Sequence, residues 1–560
     1  MNKNNHIKPL ARSILKRACY IGTTALCLAS LNAHGQLLHN LTVGNPKALG
    51  LANAVTADPP GVDSIHFNPA GLAKIKGRQY SVKFIVAHTE LDASFGENTE
   101  PGADVLQSYY NLRQNADCSG LPNTPDGWQN CWGNDPVANQ SSSNADPSLM
   151  LPFFGPTELP ILAFPSGGVA VEDPSRGWTI GTAVYSPEGF GYSRDEDDPG
   201  AYQGIQVGVT RLTYFAPTIA MPVNETLSFG VGVNFSYQGM GVDTYLRAPL
   251  ETTQFLTALE DLNLPSGNLD VLRPYEPVGR LSMEMEDFLS IGFNLGILWE
   301  PYEWLSFGFL YQSEKTSQLS GDFKMENSPE FLATTDGLHH TGLDSAFLLL
   351  DGVPFNATAV ESGTVELEYI TPQNIAFGTS VKVLPNLKIN FDVKWIEYSV
   401  WEELNFKFDG DVDFLNFSSV VYAISGLKDN ADPDAMRLPR NYEDVWSVAI
   451  GAEYQVNDNL VIRAGYEPRS SAIPSTSADM LFPVGEADLF SAGFGMQLDS
   501  TSRIDGAFGL LLSEQNIGAC QSNNANNCKE GDVIYNPYYS IPFKTETTAY
   551  IFALSYDKKF

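Results

Sequence analysis

Residues 545–560, TETTAYIFALSYDKKF, constrain this chain more than any other stretch. Tyr550, Phe552, Leu554, Tyr556 and Phe560 recur at every second position, with only Lys558 breaking the series. Ala549, Ile551, Ala553, Ser555 and Asp557 fill the other register. Successive side chains of a strand point to opposite faces, so the segment has one bulky apolar face and one small or polar face. A sequence ending on such a strand, with an aromatic as its last residue, reads as the closing strand of an outer-membrane β-barrel whose bulky face meets lipid.

The N-terminal residues fit export. Lys3, Lys8, Arg12, Lys16 and Arg17 form a basic run without an acid, the apolar stretch ACYIGTTALCLASL follows, and Ala33-His34-Gly35 resembles a cleavage site. The expectation is a signal peptide over 1–35 and a mature start at Gln36. Beyond it, no segment approaches the ~18 uninterrupted apolar residues of a transmembrane helix. Mean hydropathy is −0.14, as suits a barrel in which half of each strand faces the lumen. The chain carries 33 Lys and Arg against 66 Asp and Glu, a net charge of −33. Such a surface excludes nucleic acid as a natural partner. Four cysteines remain after cleavage, Cys118, Cys131, Cys520 and Cys528. Their spacing favours the local pairs Cys118–Cys131 and Cys520–Cys528, although spacing cannot fix connectivity.

Between the ends, short and long connections alternate. The short turns are DPSRG (173–177), PVNET (222–226), EPYEW (300–304), PNL (385–387), NDNL (457–460) and DSTSR (499–503), each flanked by alternating segments such as FLSIGFNLGILWE and WLSFGFLYQS. With a first strand near 78–92 and the C-terminal strand, they predict about fourteen strands, an even number suited to a single-chain barrel. The remaining connections are long, near 93–155, 191–204, 241–281, 321–363, 401–440, 471–487 and 518–542. Short turns at one end and long loops at the other predict periplasmic turns and extracellular loops. The fold class is therefore all-β: a transmembrane antiparallel barrel over 78–560, preceded over 36–77 by a small, partly helical segment. There Ala48, Leu49, Leu51, Ala52 and Val55 suggest a short helix that Asp58-Pro59-Pro60-Gly61 would stop.

Phe67-Asn68-Pro69-Ala70-Gly71-Leu72 follows, with Asp58 and Asp63 upstream. NPA alone is a common tripeptide. Lying between a small-residue segment and a barrel-like repeat, it resembles the N-terminal hatch of the FadL/TodX family of outer-membrane transporters of long-chain fatty acids and other hydrophobic compounds. The stretches GWTIGTAVYSPEGFGYSRDEDDPGAYQGI, NIAFGTSVKVLPNLKINFDVKWIEYSVWEEL and LVIRAGYEPRSSAIPSTSADMLFPVGEADLFSAGFGMQL are similar to the family's third strand, central hairpin and late region. The cysteine-bearing loops depart from the family pattern. The C-terminal strand also resembles the signal read by the bacterial barrel-assembly machinery, a partner in biogenesis.

The resemblance implies that residues 36–77 form a hatch plugging the lumen of the barrel, and it implies passive uptake: capture on extracellular loops, transfer to a lumenal pocket, and lateral exit through a kinked third strand into the membrane. An oily molecule gains nothing from a water-filled pore, whereas passage between apolar surfaces keeps it out of water. Candidate capture residues are Phe255, Leu256, Leu259, Phe347, Leu348, Leu350 and Phe355, apolar runs in polar loops that could equally be loop cores. Ser186, Pro187 and Gly189 are the candidate kink, because Pro removes a ladder donor and Gly permits a bulge; they could instead mark only the strand's end. Asn68, Pro69 and Ala70 are the candidate gating motif. Lys394 or Arg463 could hold a fatty carboxylate, or pair with one of the many acids. The expected partners are a long-chain fatty acid or other hydrophobic molecule, outer-membrane lipid and lipopolysaccharide. The alternative is a general diffusion porin. No enzyme is expected, since there is no G-x-S-x-G elbow and no nucleophile–base pair. No cofactor or metal site is expected either: DGDVD (409–413) lacks the Gly and Glu of a calcium loop.

Overall fold

Apolar and small residues alternate along the strands, and this alternation decides which face of each meets lipid and which meets the lumen. The computed structural model describes residues 40–97, 135–159, 161–247, 272, 275–340, 357–424, 432–528 and 536–560. The expected signal peptide, Cys118, Cys131 and the candidate capture residues Phe255, Leu256, Leu259, Phe347, Leu348, Leu350 and Phe355 lie outside the described residues.

Fourteen wall strands form one closed antiparallel barrel. They are β1 (Arg78–Phe95), β2 (Leu162–Asp173), β3 (Trp178–Ser193), β4 (Gln206–Phe215, continued by Thr218–Pro222), β5 (Leu227–Arg247), β6 (Pro277–Tyr302) and β7 (Leu305–Gln312, continued by Lys315–Asn327). The second half comprises β8 (Val360–Thr371 and Asn374–Leu384), β9 (Leu387–Ile396 and Glu403–Phe408), β10 (Ala435–Pro439 and Val445–Asn457), β11 (Leu460–Arg469), β12 (Glu486–Gln497), β13 (Ser502–Ile517) and β14 (Phe543–Lys559). Each of the six short turns read from sequence joins consecutive strands. In β14, Phe552 and Leu554 face outward while Ala549, Ile551, Ala553 and Ser555 are buried. β14 pairs with β13 on one side and with β1 on the other, from Gln79↔Lys559 to Phe95↔Phe543, so the sheet closes on itself. β6 runs for 26 residues, far beyond the ~10 that cross a bilayer, so the wall extends past the outer leaflet.

Three elements escaped the sequence reading. Helices Pro329–His340 and Asp413–Ile424 lie in the long loops, where Phe331 packs edge-on to Phe414 and Phe417. Within the connection from β1 to β2, Ser148–Leu151 pairs with Gly155–Glu158 as a small outer hairpin.

The hatch lies inside the barrel. Its helix α1 (Pro46–Gly50) starts at Asn45, whose Oδ1 accepts from Ala48 N at 2.9 Å, with Pro46 at the first helical position. It stops at Gly50, short of the expected end beyond Val55, and Ala52 and Asn53 take positive φ values of 47° and 62°. Tertiary bonds outcompete helical ones here. Ala52 N donates to Ser491 Oγ at 3.1 Å, and Val55 N and Thr56 N donate to Asp392 Oδ2 at 2.9 and 2.8 Å. α1 packs on β11–β14. Thr56 reaches the opposite wall, where a Cβ at Gly308 would lie 2.0 Å from its carbonyl oxygen. The turn Pro69–Lys74 packs on β3–β6. The hatch thus crosses the lumen from wall to wall.

Buried ion pairs hold it at the lower end. Lys83 Nζ lies 2.6 Å from Asp63 Oδ1, with both side chains buried. Asp58 pairs with Lys47 at 2.9 Å and with Lys388, which also meets Glu453 at 3.0 Å. Burial alone would raise the Asp58 pKa, but Lys47 and Lys388 hold it far below the carboxylate range.

Substituting Gly296→Val tests this seating. A Cβ there would sit 2.2 Å from Asn68 Oδ1 and 2.8 Å from Pro69 Cδ, an overpacking cost of about 1–3 kcal/mol. The expected outcome is trypsin cleavage after Lys47 in the variant but not the parent, with heat-modifiable barrel mobility retained. Equal protection would place the hatch elsewhere.

Candidate functional site

The floor of the site is the hatch motif. Asn68 donates from Nδ2 to Thr56 O at 2.8 Å and to Ile297 O of β6 at 3.0 Å, and its Oδ1 accepts from Ala70 N at 3.2 Å. One side chain therefore ties two hatch segments and the wall together. Pro69 and Ala70 are fully enclosed, against the glycine positions 230 and 296 of β5 and β6.

Above the floor the lumen is apolar. A cavity bounded by Phe190, Val209, Tyr369, Ile396, Trp401 and Phe482 encloses about 700 Å³ of space free of protein atoms, part of it open to solvent. Trp401 organises one side, edge-on to Tyr369 at 5.1 Å and stacked on Tyr442 at 5.4 Å. A second, smaller apolar cavity lies against Val242, Leu246, Met283, Phe406 and Leu481. The segment Asp479–Val484 separates the two, with Leu481 lining one and Phe482 the other. A buried Arg440–Asp479 ion pair and the Tyr192 hydroxyl, donating to Met480 O at 2.6 Å, hold that segment in the lumen.

Two charged groups interrupt the larger cavity. Glu188 accepts from the Tyr369 hydroxyl at 2.7 Å. Arg211 is 4% exposed, and its Nε and Nη1 are buried with no hydrogen-bond partner. Burial followed by the cations Arg211, Lys315 and Lys83 holds the His66 imidazole of the hatch well below its usual pKa, so it stays neutral. A buried guanidinium with free donors is costly, and it can accept a carboxylate headgroup by charge-assisted hydrogen bonds. Arg211 went unnoticed in the sequence, where it sits mid-strand in GVTRLTYF; a lone cation at a lumen-facing position was its only signal. The cations the sequence did suggest are structural. Lys394 pairs with Glu467 at 3.1 Å, and Arg463 pairs with Asp505 at 2.6 Å and Glu453 at 2.8 Å.

The wall is broken beside this cavity. β2 and β3 pair from Asp173↔Trp178 only as far as Gly167↔Val184. Above that point β3 pairs with β4, across a register shift between Tyr185 and Glu188. Ser186 and Pro187 form the shift. Ser186 Oγ donates to Arg211 O at 2.8 Å and to Glu188 O at 3.0 Å. Thr42 of the hatch donates to Ser186 O at 2.9 Å. The extra residue turns Glu188 and Phe190 into the cavity. A Cβ at Gly189 would lie in ordinary contact with Phe164, Thr42 and Leu149. At the mouth, Cys520 and Cys528 form a disulfide.

The sequence pattern of the family described as outer membrane protein transport protein (OMPP1/FadL/TodX) matches residues 25–560. The chain belongs to the FadL/TodX family. It is 22% identical over 500 residues to a putative outer membrane protein of Neisseria meningitidis serogroup B, covering 89% of this chain and 90% of that protein. To the long-chain fatty acid transport protein of Escherichia coli it is 21% identical over 289 residues, 51% of this chain and 55% of that one. The crystal structure of a Pseudomonas aeruginosa FadL homologue superposes with a TM-score of 0.64 at 17% identity, covering 93% of this chain and 99% of that one. This FadL/TodX-family member is thus an outer-membrane transport protein for hydrophobic compounds.

Arg211→Met is predicted to weaken binding of a long-chain fatty carboxylate by roughly 10- to 100-fold, the worth of about 1.5–3 kcal/mol for a charge-assisted hydrogen bond. Affinity for the fatty alcohol of equal length should be unchanged in isothermal titration of the detergent-solubilised protein. Equal losses for both ligands would reduce Arg211 to a shaping role.

Proposed function

We propose that this protein takes up long-chain fatty acids, or amphiphiles of similar length carrying an anionic head, by energy-independent diffusion with lateral release into the membrane. The observation that carries the reading is the apolar cavity at the Ser186-Pro187 shift: closed below by the hatch, it holds Arg211 with unsatisfied donors. Capture falls to the loops bearing Phe255, Leu256, Leu259, Phe347, Leu348, Leu350 and Phe355. The cargo then passes the upper cavity and the Asp479–Val484 segment and rests with its head at Arg211. The tail lies along Trp401, Tyr369 and Phe482. Release runs between the unpaired parts of β2 and β3, where Pro187 offers no ladder donor and Gly189 no side chain. Asn68, Pro69 and Ala70 keep the floor shut, so the cargo never meets the polar lower vestibule around Lys47, Glu453 and Arg503.

The physical rationale is continuity of apolar contact. Each buried methylene is worth about 0.8 kcal/mol against water, so a long tail strongly prefers a route between side chains and lipid. A general diffusion porin finds no support, because apolar side chains occupy the outer half of the lumen.

The test deletes Ser186 and replaces Pro187→Val, which restores regular alternation between Tyr185 and Glu188. Uptake of labelled oleate by cells producing the variant should fall to the level of cells lacking the protein, with heat-modifiable mobility intact. Undiminished uptake would remove the lateral route.

A further inference from the structure

We infer that the outer hairpin Ser148–Glu158 is a shutter on the lipid side of the break between β2 and β3, and that the acyl chains of the outer leaflet are the partner of its phenylalanine tip. The inference rests on the lateral-exit reading and adds to it the element that must move.

The hairpin lies outside the wall. Along β5, Met240 and Val242 point inward to the core, so Gly239 and Gly241 point outward. These outward glycines receive it: a Cβ at Gly239 would be 2.7 Å from Met150 Cγ, and one at Gly241 would be 2.4 Å from Pro156 Cγ. On β4, a Cβ at Gly208 would meet the Leu149 and Met150 backbone at 2.8 Å. The neighbouring outward positions carry Gln206 and Thr210 on β4, Asp243 on β5, and Glu284 and Glu286 on β6. The glycines make a shallow hollow in the outer face of the wall, and the hairpin fills it.

Its two ends face different media. Leu149 is fully buried and packs in one cluster with Leu41 and Leu49 of the hatch and Leu162 of β2. It therefore packs at the break, in the same apolar cluster as the plug. At the other end Phe153 and Phe154 are 83% and 81% exposed, larger exposures than any other large hydrophobic shows among the described residues. Phe153 adopts φ of 67°, a conformation disfavoured for a bulky side chain. It stacks on Phe288 at 5.0 Å. Phe288 continues on the same strand into the outward Leu289, Ile291 and Phe293 and is preceded by Glu284 and Glu286, so the tip meets the upper end of the apolar band. An exposed pair of aromatics at that height, with Phe153 in a strained conformation, fits insertion among acyl chains.

Leu149 belongs to the cover of the opening: the atoms nearest a Cβ at Gly189 come from Phe164, Thr42 and Leu149. Swinging the hairpin away withdraws Leu149 and leaves a gap lined by apolar groups and glycine. A tip already immersed in lipid lets the hairpin lift without exposing apolar surface to water.

The test locks the hairpin. A Cβ at position 241 would lie 3.2 Å from Pro156 Cβ, near the separation a disulfide needs, so Pro156→Cys with Gly241→Cys ties hairpin to wall. Oleate uptake by the oxidised variant should fall about tenfold or more and recover on reduction, as for a lid that must open. The parent, whose own Cys520–Cys528 bond is reduced under the same treatment, serves as the control. Phe153→Asp with Phe154→Asp should also slow uptake, with barrel mobility retained. Normal uptake by the oxidised lock would make the hairpin a fixed part of the wall and overturn the shutter. If in that case the Ser186 deletion with Pro187→Val still blocks uptake, lateral exit stands and only the shutter falls; if neither variant affects uptake, both fall.

Discussion

The structure depends on one constraint: a plug of irregular backbone inside a membrane cylinder must have its polar groups satisfied by the wall. Unpaired amides and carbonyls away from water cost several kcal/mol each. The hatch meets this with side chains from widely separated strands. Asp392 accepts from two successive amides, Asn390 donates to Ala54 O, Ser491 accepts from Ala52, and Asn68 donates to both hatch and wall. Glycines at 296 and 308 let the two backbones meet at the required distance. These bonds fix the hatch in one place, and the closed floor makes every other feature of the lumen meaningful.

A blocked floor gives the apolar upper lumen no downward outlet, and the wall is weakest beside it. The same local sequence, Ser186-Pro187-Glu188-Gly189, ends the β2–β3 ladder, turns Glu188 and Phe190 inward and leaves no side chain at Gly189. Arg211 of β4 pairs with Glu188 in the register that follows the shift. A buried cation with unpartnered donors thus lies next to the break, so under the proposed function head recognition and tail release share one region. The net charge of −33 concerns the surface; the lumen places buried Arg211, Lys315 and Lys83 around His66.

The fold was legible in sequence because its signals are local. Period-two alternation, six turn motifs and the aromatic C-terminus each report on a few adjacent residues, and all agree with the barrel. NPAGL and SPEG were visible as interruptions of that pattern. The rest depends on distant partners. The hatch helix ended early at Gly50 because Asp392 and Ser491, hundreds of residues away, compete for its amides. Lys394 and Arg463 were plausible headgroup ligands until their carboxylate partners came into view, while Arg211 faces the cavity with Nε and Nη1 unpartnered. The outer hairpin was hidden because its hollow is made of glycines on two other strands.

Lateral exit and passage through the lower vestibule leave different marks on the protein. Photo-crosslinking with a diazirine-bearing fatty acid during uptake, followed by peptide mapping, separates them. Lateral exit puts adducts on Leu149, Phe164 and Phe190 beside the break. Adducts on Lys47, Arg503 or Lys559, which line the vestibule below the hatch, would contradict it.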